Sequence, residues 1–210
     1  MANKKVIEIG CDISRWNGIV DFVKLKAQGL SFVIIKAGGS DKGFYQDHKF
    51  NDNYRLAKLA GMKVGTYYIV GKDFVSAEDG IEDAKRFYHI IRNKDFDYPV
   101  FVDIEITSPK DKKGVTDAAI SFCNFMEDNK YYAAIYASDI SGFKERLETD
   151  RLKAFDKWVA RYGTNKPDTP CGIWQYSCKG VFDGVNGHLD LDKSYIDYAA
   201  VMEKKQLNRG

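Results

Sequence analysis

The chain has 210 residues, 44% of them apolar and 30% charged, with a formal net charge of +2. That length suits one large domain or two small ones and can bury a substantial core. With 32 basic residues against 30 acidic ones, there is no bulk electrostatic case for nucleic acid or an anionic membrane, and the apolar runs are too short for membrane insertion.

The opening stretch, MANKKVIEIGCDIS, lacks the apolar segment of a secretory signal. Synthesis in the cytoplasm is therefore expected. From there the pattern alternates. Strands are predicted at residues 6–12, 32–37, 63–70, 99–106, 132–137, 157–162, 172–177 and 188–191, where β-branched and aromatic residues cluster. Helices are predicted at 21–28, 46–60, 77–91 and 117–129, with a weaker one at 141–153. Gly61 is placed to stop the second helix, and Thr116 to cap the fourth.

Strand–helix alternation implies parallel strands, and eight strands suggest a closed barrel. The expected architecture is α/β: a TIM-like barrel of about five βα units followed by three strands without helices. About ten residues, GTNKPDTPCG (163–172), link the strand of Trp158 to that of Trp174. A parallel crossover usually needs a dozen or more, so hairpin-type links and at least one antiparallel strand are expected there. A single catalytic domain is drawn over 1–198, with 199–210 as a polar tail or linker stump.

Cys11, Cys123, Cys171 and Cys178 show no CxxC or zinc spacing, so free thiols are expected. His48 and His89 fall on predicted helices, and only His188, two residues from Asp190, could reach a site near that acid. Neither a metal nor any other cofactor is expected.

The chemistry concentrates in YPVFVDIEI, residues 98–106. Side chains alternate along a strand, so Phe101, Asp103 and Glu105 share one face and Val102, Ile104 and Ile106 the other. Two adjacent carboxylates are costly to bury without compensation. They are either a solvated strand end or an acid pair. Barrel enzymes carry their reactive groups at the C-terminal ends of strands. Asp12 ends the first predicted strand, and Asp190 lies in the last, its neighbour in a closed barrel. Four acids thus converge on one rim, with Lys36 the obvious cation. Trp16, Tyr67, Tyr68, Tyr136, Tyr162, Trp174 and Tyr176 are predicted near the same rim. Each alone fits core packing. Together, and with Lys36, they suit a groove for a neutral glycan, whose sugar rings stack on aromatic faces.

Seven stretches in order resemble the Chalaropsis-type lysozymes, glycoside hydrolase family 25. They are GCDISRWNGIVDF, FVIIKA, DHKFNDNYRLAKLAGMKVGTYY, FVDIE, WVARYG, IWQYS and LDLD, spanning about residues 9–192. The resemblance implies a flattened barrel and muramidase activity: cleavage of the β-1,4 bond between N-acetylmuramic acid and N-acetylglucosamine in cell-wall peptidoglycan. It implies Glu105 as general acid, Asp103 as stabiliser of positive charge at the anomeric centre or of a neighbouring acetamido group attacking it, and Asp12 and Asp190 as residues that hold substrate and tune the pair. Gly38-Gly39-Ser40 stands where Thr-Glu-Gly is common, Tyr68 where His is usual, and Asp192 where Asn is usual.

A chitinase-like or glucosaminidase barrel usually shows D-x-x-D-x-D-x-E; Tyr98 and Phe101 occupy its two extra Asp positions here. A catalytically silent wall-binding module would also place carboxyl groups and aromatic rings along a glycan, and a metal-dependent deacetylase would use clustered acids as ligands. The absent signal favours a phage endolysin over a bacterial autolysin. Such lysins often carry a wall-binding domain, and none is visible in this chain.

Overall fold

The protein is described by a computed structural model over residues 5–209. Met1–Lys4, from the stretch read for a signal, and Gly210, the end of the expected tail, lie outside the described residues. Among the described residues there are nine strands: β1 Glu8–Ile13, β2 Phe32–Gly39, β3 Tyr45–Gln46, β4 Lys63–Ile69, β5 Val100–Asp103, β6 Ala133–Ser138, β7 Asp156–Ala160, β8 Ile173–Gly180 and β9 Leu189–Ser194. They form one sheet in the order β1-β9-β8-β7-β6-β5-β4-β2-β3, and β1 pairs with β2 to close it. The result is the expected closed barrel of eight strands, with the short β3 added as a hairpin on the end of β2.

Within the eight-stranded barrel the antiparallel strand is β9, which runs against both β8 and β1. β7 and β8 are parallel, so the link between them is not the hairpin expected from its length. The physical reason is reach. The twelve residues of 161–172 span about 40 Å when extended, against roughly 17 Å for a five-residue strand. They can run back without a helix. Asp139 pins this link by accepting hydrogen bonds from the backbone N–H groups of Asp168 (2.8 Å) and Thr169 (3.0 Å).

Four helices, α1 Phe22–Ala27, α2 Phe50–Leu59, α3 Ala77–Ile91 and α4 Lys112–Asp128, lie between the early strands. Gly61 follows α2 with φ +69°, the left-handed stop expected of it. α4 begins earlier than predicted. Asp111 is its cap, accepting from Gly114 N at 3.0 Å. Thr116 instead lies inside the helix, donating to the Lys112 carbonyl and accepting from Glu148 N. At Gly114, in the first turn of α4, a Cβ would stand 2.1 Å from the Val75 carbonyl oxygen. The fifth predicted helix is two separate turns, Asp139–Lys144 and Thr149–Leu152, in a stretch where Ser141, Gly142 and Thr149 are poor helix formers.

Strand alternation builds two cores. Val33, Ile35, Val64, Val100, Val102, Ile135 and Val159 face outward under the helices. Phe32, Ile34, Tyr98, Phe101, Trp158 and Ile173 fill the lower barrel interior. Residues 199–209 are not a loose tail: α5, Tyr198–Lys205, packs Tyr198 and Met202 into that inner core. Asn208, fully buried, donates to the Tyr98 carbonyl (2.7 Å) and accepts from Tyr132 N (2.6 Å). The barrel floor is thus closed, leaving the opposite end, where the parallel strands finish, as the place for polar chemistry.

Candidate active site

β1 carries Asp12 to the barrel interior, where it is 7% exposed. β5 ends at Asp103, 4% exposed. The strand prediction to residue 106 overshoots. Ile104 N still donates to the Tyr136 carbonyl on β6, and the chain then leaves the sheet. Glu105 therefore sits on the departing backbone, exposed at the mouth, beside the buried Asp103. Asp190 on β9 pairs in register with Asp12 on β1 and is half-buried. The four acids expected at one rim are brought together.

Gln175 on β8 ties them to the aromatic residues. Its Nε2 donates to Asp12 Oδ2 at 2.6 Å. Its Oε1 accepts from Tyr162 OH at 2.6 Å and from Tyr136 OH at 2.9 Å. The Tyr136 hydroxyl also lies 3.3 Å from Glu105 Oε1. A single hydroxyl proton serves one of these acceptors at a time, so Tyr136 can switch between amide and carboxylate.

Electrostatics follow from crowding. Burial raises the Asp12 carboxyl well above its ordinary range, and Asp192 and Asp190 add to the rise. Burial and then Glu105 raise Asp103, while Lys36 opposes them. Glu105 is raised by the protein around it, and the Tyr136 hydroxyl, Lys36 and Arg146 hold it back. Solvent reaches Glu105 from the open side, so its rise is weaker than that of an enclosed carboxyl. Like charges this close titrate as a group, and fewer protons leave than there are acids. Asp103 Oδ1 is buried with no hydrogen-bond donor in reach among the described residues.

The arrangement gathers carboxyl groups and tyrosines at one end of a closed barrel. The family described as Glycosyl hydrolases family 25 matches residues 11–185. The chain belongs to this family. It is 28% identical over 186 residues to the autolytic lysozyme of Clostridium acetobutylicum, covering 88% of this chain and 55% of that protein. This chain thus spans little more than half the length of that relative. Among solved structures, the CTP1L endolysin superposes with a TM-score of 0.82 at 25% identity, covering 94% of this chain and 70% of that one. The bacterial lysozyme of Streptomyces coelicolor gives 0.77 at 25% identity, covering 89% and 91%.

Within this family 25 barrel, the candidate substrate-binding residues divide. Lys36 lies near the acid pair, 5.9 Å from the Tyr67 ring centroid. Tyr67, inside the barrel, packs edge-on against Trp158 and lies in the field of all four acids. Tyr136 and Tyr162 bond Gln175 as described. Tyr68, Trp174 and Tyr176 do not face the mouth. Tyr68 is buried under the helices, donating to Asp83 on α3 at 3.2 Å. Trp174 and Tyr176 lie on the outer face of β8, beneath the Lys193 ammonium, and Trp174 Nε1 donates to the Arg161 carbonyl. The physical reason is parity: neighbours along a strand face opposite sides. Tyr67 inside requires Tyr68 outside, and Gln175 inside requires Trp174 and Tyr176 outside. Trp16 stands on the turn after β1, 77% exposed.

Four residues at the site were not placed there from the sequence, although Asp192 was noted as a departure from the resembled pattern. Gln175 was hidden in an aromatic run, although a lone polar residue there is the natural inward one. Arg146 and Asp41 come from loops, and both bear on Glu105. Asp41 Oδ1 lies 2.8 Å from where a Cβ on Gly39 would stand. It accepts from Tyr45 OH at 2.8 Å. A carboxylate thus occupies the space above the glycine that replaces the rim acid. The fourth is Asp192, fully buried, which accepts from Trp158 Nε1 at 2.7 Å. His188 is exposed.

Proposed function

We propose that this family 25 chain is a lysozyme, hydrolysing the β-1,4 bond between N-acetylmuramic acid and N-acetylglucosamine in bacterial peptidoglycan. The observation that carries the reading is the convergence of Asp12, Asp103, Glu105 and Asp190 at the open end of a barrel whose other end is sealed.

In this reading, Glu105 is the general acid. Its raised carboxyl holds a proton above the ordinary carboxylate range and gives it to the leaving glycosidic oxygen. Asp103 lies beside it with a buried oxygen that lacks a donor. An N-acetylated sugar in the mouth would bring its acetamido N–H to the narrow exposed edge of this carboxyl, on a residue 4% exposed. Accepting that hydrogen bond favours the ionised form of Asp103 and leaves the pair's proton on Glu105. The same contact turns the acetamido carbonyl toward the anomeric carbon as positive charge develops there. Glu105, now ionised, then takes a proton from the water that completes hydrolysis. Asp12 and Asp190 hold sugar hydroxyls, with Tyr67, Tyr136, Tyr162 and Lys36 lining the cleft.

Peptidoglycan is the partner in this reading, and the cell wall is the place of action. No helix among the described residues is long and apolar enough to cross a membrane. Digestion of purified peptidoglycan, followed by reduction and mass spectrometry, tests the proposal. New muramic-acid reducing ends, absent with Glu105→Gln, are expected. New glucosamine ends would overturn the bond assignment, and no new ends from any wall would favour a binding module.

A further inference from the structure

Glu105 has no strand to hold it. β5 ends at Asp103, Ile104 N makes the last bond to β6, and Glu105 lies on a bend that leaves the sheet. A group that hands a proton to one particular oxygen has to be placed to a fraction of an ångström, so this bend needs a support from outside the sheet. Two residues on, the Thr107 carbonyl accepts a hydrogen bond from Arg146 Nε at 2.8 Å. The Nη1 of the same guanidinium donates to the Ser141 carbonyl. Ser141 belongs to the turn Asp139–Lys144, which follows β6. Arg146 is anchored on that turn by its own N–H, which donates to the Gly142 carbonyl at 2.8 Å. One guanidinium therefore ties the bend after β5 to the turn after β6. Thr107 is 1% exposed, and a bond shielded from water in this way is stronger than one at the surface.

The charge of Arg146 is also uncommitted. Nearby in the chain, Glu148 pairs with Arg151 and Asp139 with Arg161. Arg146 has no ion-pair partner among the described residues, and its field falls on Glu105. The other charged groups that face Glu105 are Lys36 from β2, Asp41 from the loop after it, Asp103 on its own segment and Asp190 from β9. The hydroxyls of Tyr67, Tyr136 and Tyr162 share that space, each raised by burial and so neutral. Of the two cations, only Arg146 bonds the bend.

We propose that Arg146 is the positioning residue of the general acid: it fixes the bend that aims Glu105 by bridging the Thr107 and Ser141 carbonyls, and it sets a positive charge in the field of the carboxylate that Glu105 becomes once its proton has passed to the leaving oxygen. This deepens the lysozyme reading and rests on it. One connection of the barrel then supplies both supports. Tyr136 on β6 reaches the Glu105 carboxyl at 3.3 Å, and Arg146, beyond the end of β6, holds the backbone beneath it. A lysine could supply the charge. It could not supply the planar fork whose Nε and Nη1 serve two carbonyls at once.

The test separates fork from charge. Arg146→Met removes both, and Arg146→Lys keeps only the charge. Reducing-end release from peptidoglycan is followed against pH, binding of a wall oligosaccharide is measured by calorimetry, and the Glu105 carboxyl is titrated by carbon NMR in labelled protein. In Arg146→Met, kcat should fall about tenfold or more with oligosaccharide binding retained. Loss of a cation favours the protonated form, so the Glu105 titration and the alkaline side of the profile should both move to higher pH. In Arg146→Lys, kcat should fall while both stay at their wild-type positions. Wild-type kcat in Arg146→Lys would overturn the bridge, and an unmoved Glu105 titration in Arg146→Met would overturn the charge. Binding lost as steeply as kcat would make Arg146 a substrate contact instead. Should Arg146→Met not fold, Arg146→Gln, which loses the charge and keeps a donor, takes its place in the titration. A wild type inert on every wall would sink the lysozyme reading, and the Glu105 titration would still decide whether Arg146 acts on that carboxyl.

Discussion

Gln175 donates its Nε2–H to Asp12 Oδ2 at 2.6 Å, and both residues are buried in the barrel mouth. Because its Oε1 accepts from Tyr136 and Tyr162, one amide sets the position of an acid and two tyrosines. Gln175→Leu keeps the volume and removes all three bonds. It leaves Asp12 with one donor fewer, so its carboxyl rises further. We expect a loss of about 1–3 kcal/mol in stability and a clear fall in kcat, read by denaturant unfolding and by reducing-end release. Wild-type turnover in this variant would remove Gln175 from the mechanism.

Glu105→Gln preserves shape and cannot give up a proton. Turnover should fall by about 10²–10⁴-fold, while binding of wall fragments persists. Titration calorimetry with a peptidoglycan oligosaccharide separates the two effects. If turnover survives, Glu105 is not the acid.

Lys36 lowers both Asp103 and Glu105. Lys36→Met removes that influence, so both carboxyls rise. In the proposed mechanism the working form needs Glu105 protonated, and its loss would mark the alkaline side of the pH–rate profile. It needs Asp103 ionised, and that requirement marks the acid side. Both sides of kcat/KM against pH should therefore move upward in the variant. A profile that moves down, or does not move, contradicts this assignment.

Tyr68 and Tyr67 are neighbours with opposite fates. Tyr68→Phe deletes the hydroxyl bonded to Asp83 beneath α3 and should cost about 1 kcal/mol of stability with kcat and KM at wild-type values. Tyr162→Phe, at the mouth, removes a donor to Gln175 and should lower activity. Reversal of this pair of outcomes in steady-state kinetics would mean that the cleft lies elsewhere.

Met202 is fully buried in the inner core, with Tyr198 from the same helix. Met202→Ala should destabilise the barrel by about 2–5 kcal/mol, measured by urea unfolding. An effect below about 0.5 kcal/mol, the level of an exposed site, would return residues 199–209 to the status of a tail.

The chain order of strands and helices was legible because the barrel needs repeated local signals: β-branched runs, helical periods and the Gly61 stop. Boundaries were less legible where a special residue served a contact. Gly114 looks like a helix breaker until the close Val75 carbonyl is seen, and the 161–172 link looks like a hairpin until its extended reach is counted. The opposite facing of Tyr67 and Tyr68 was decidable from sequence, since adjacent strand residues point to opposite sides. The error was to place both at the rim.

By itself, the sequence determined that acids end the first and fourth strands and lie within the last, and that a closed barrel would gather them, because strand ends and the two-residue alternation are local properties. Tertiary structure decided which acids have partners. Asp103 Oδ1 and Asp192 Oδ2 find no donor among the described residues, Asp12 is held by a glutamine from β8, and Asp41 fills the space above Gly39. Burial and hydrogen bonding join residues far apart in the chain, and they set which carboxyl keeps its proton.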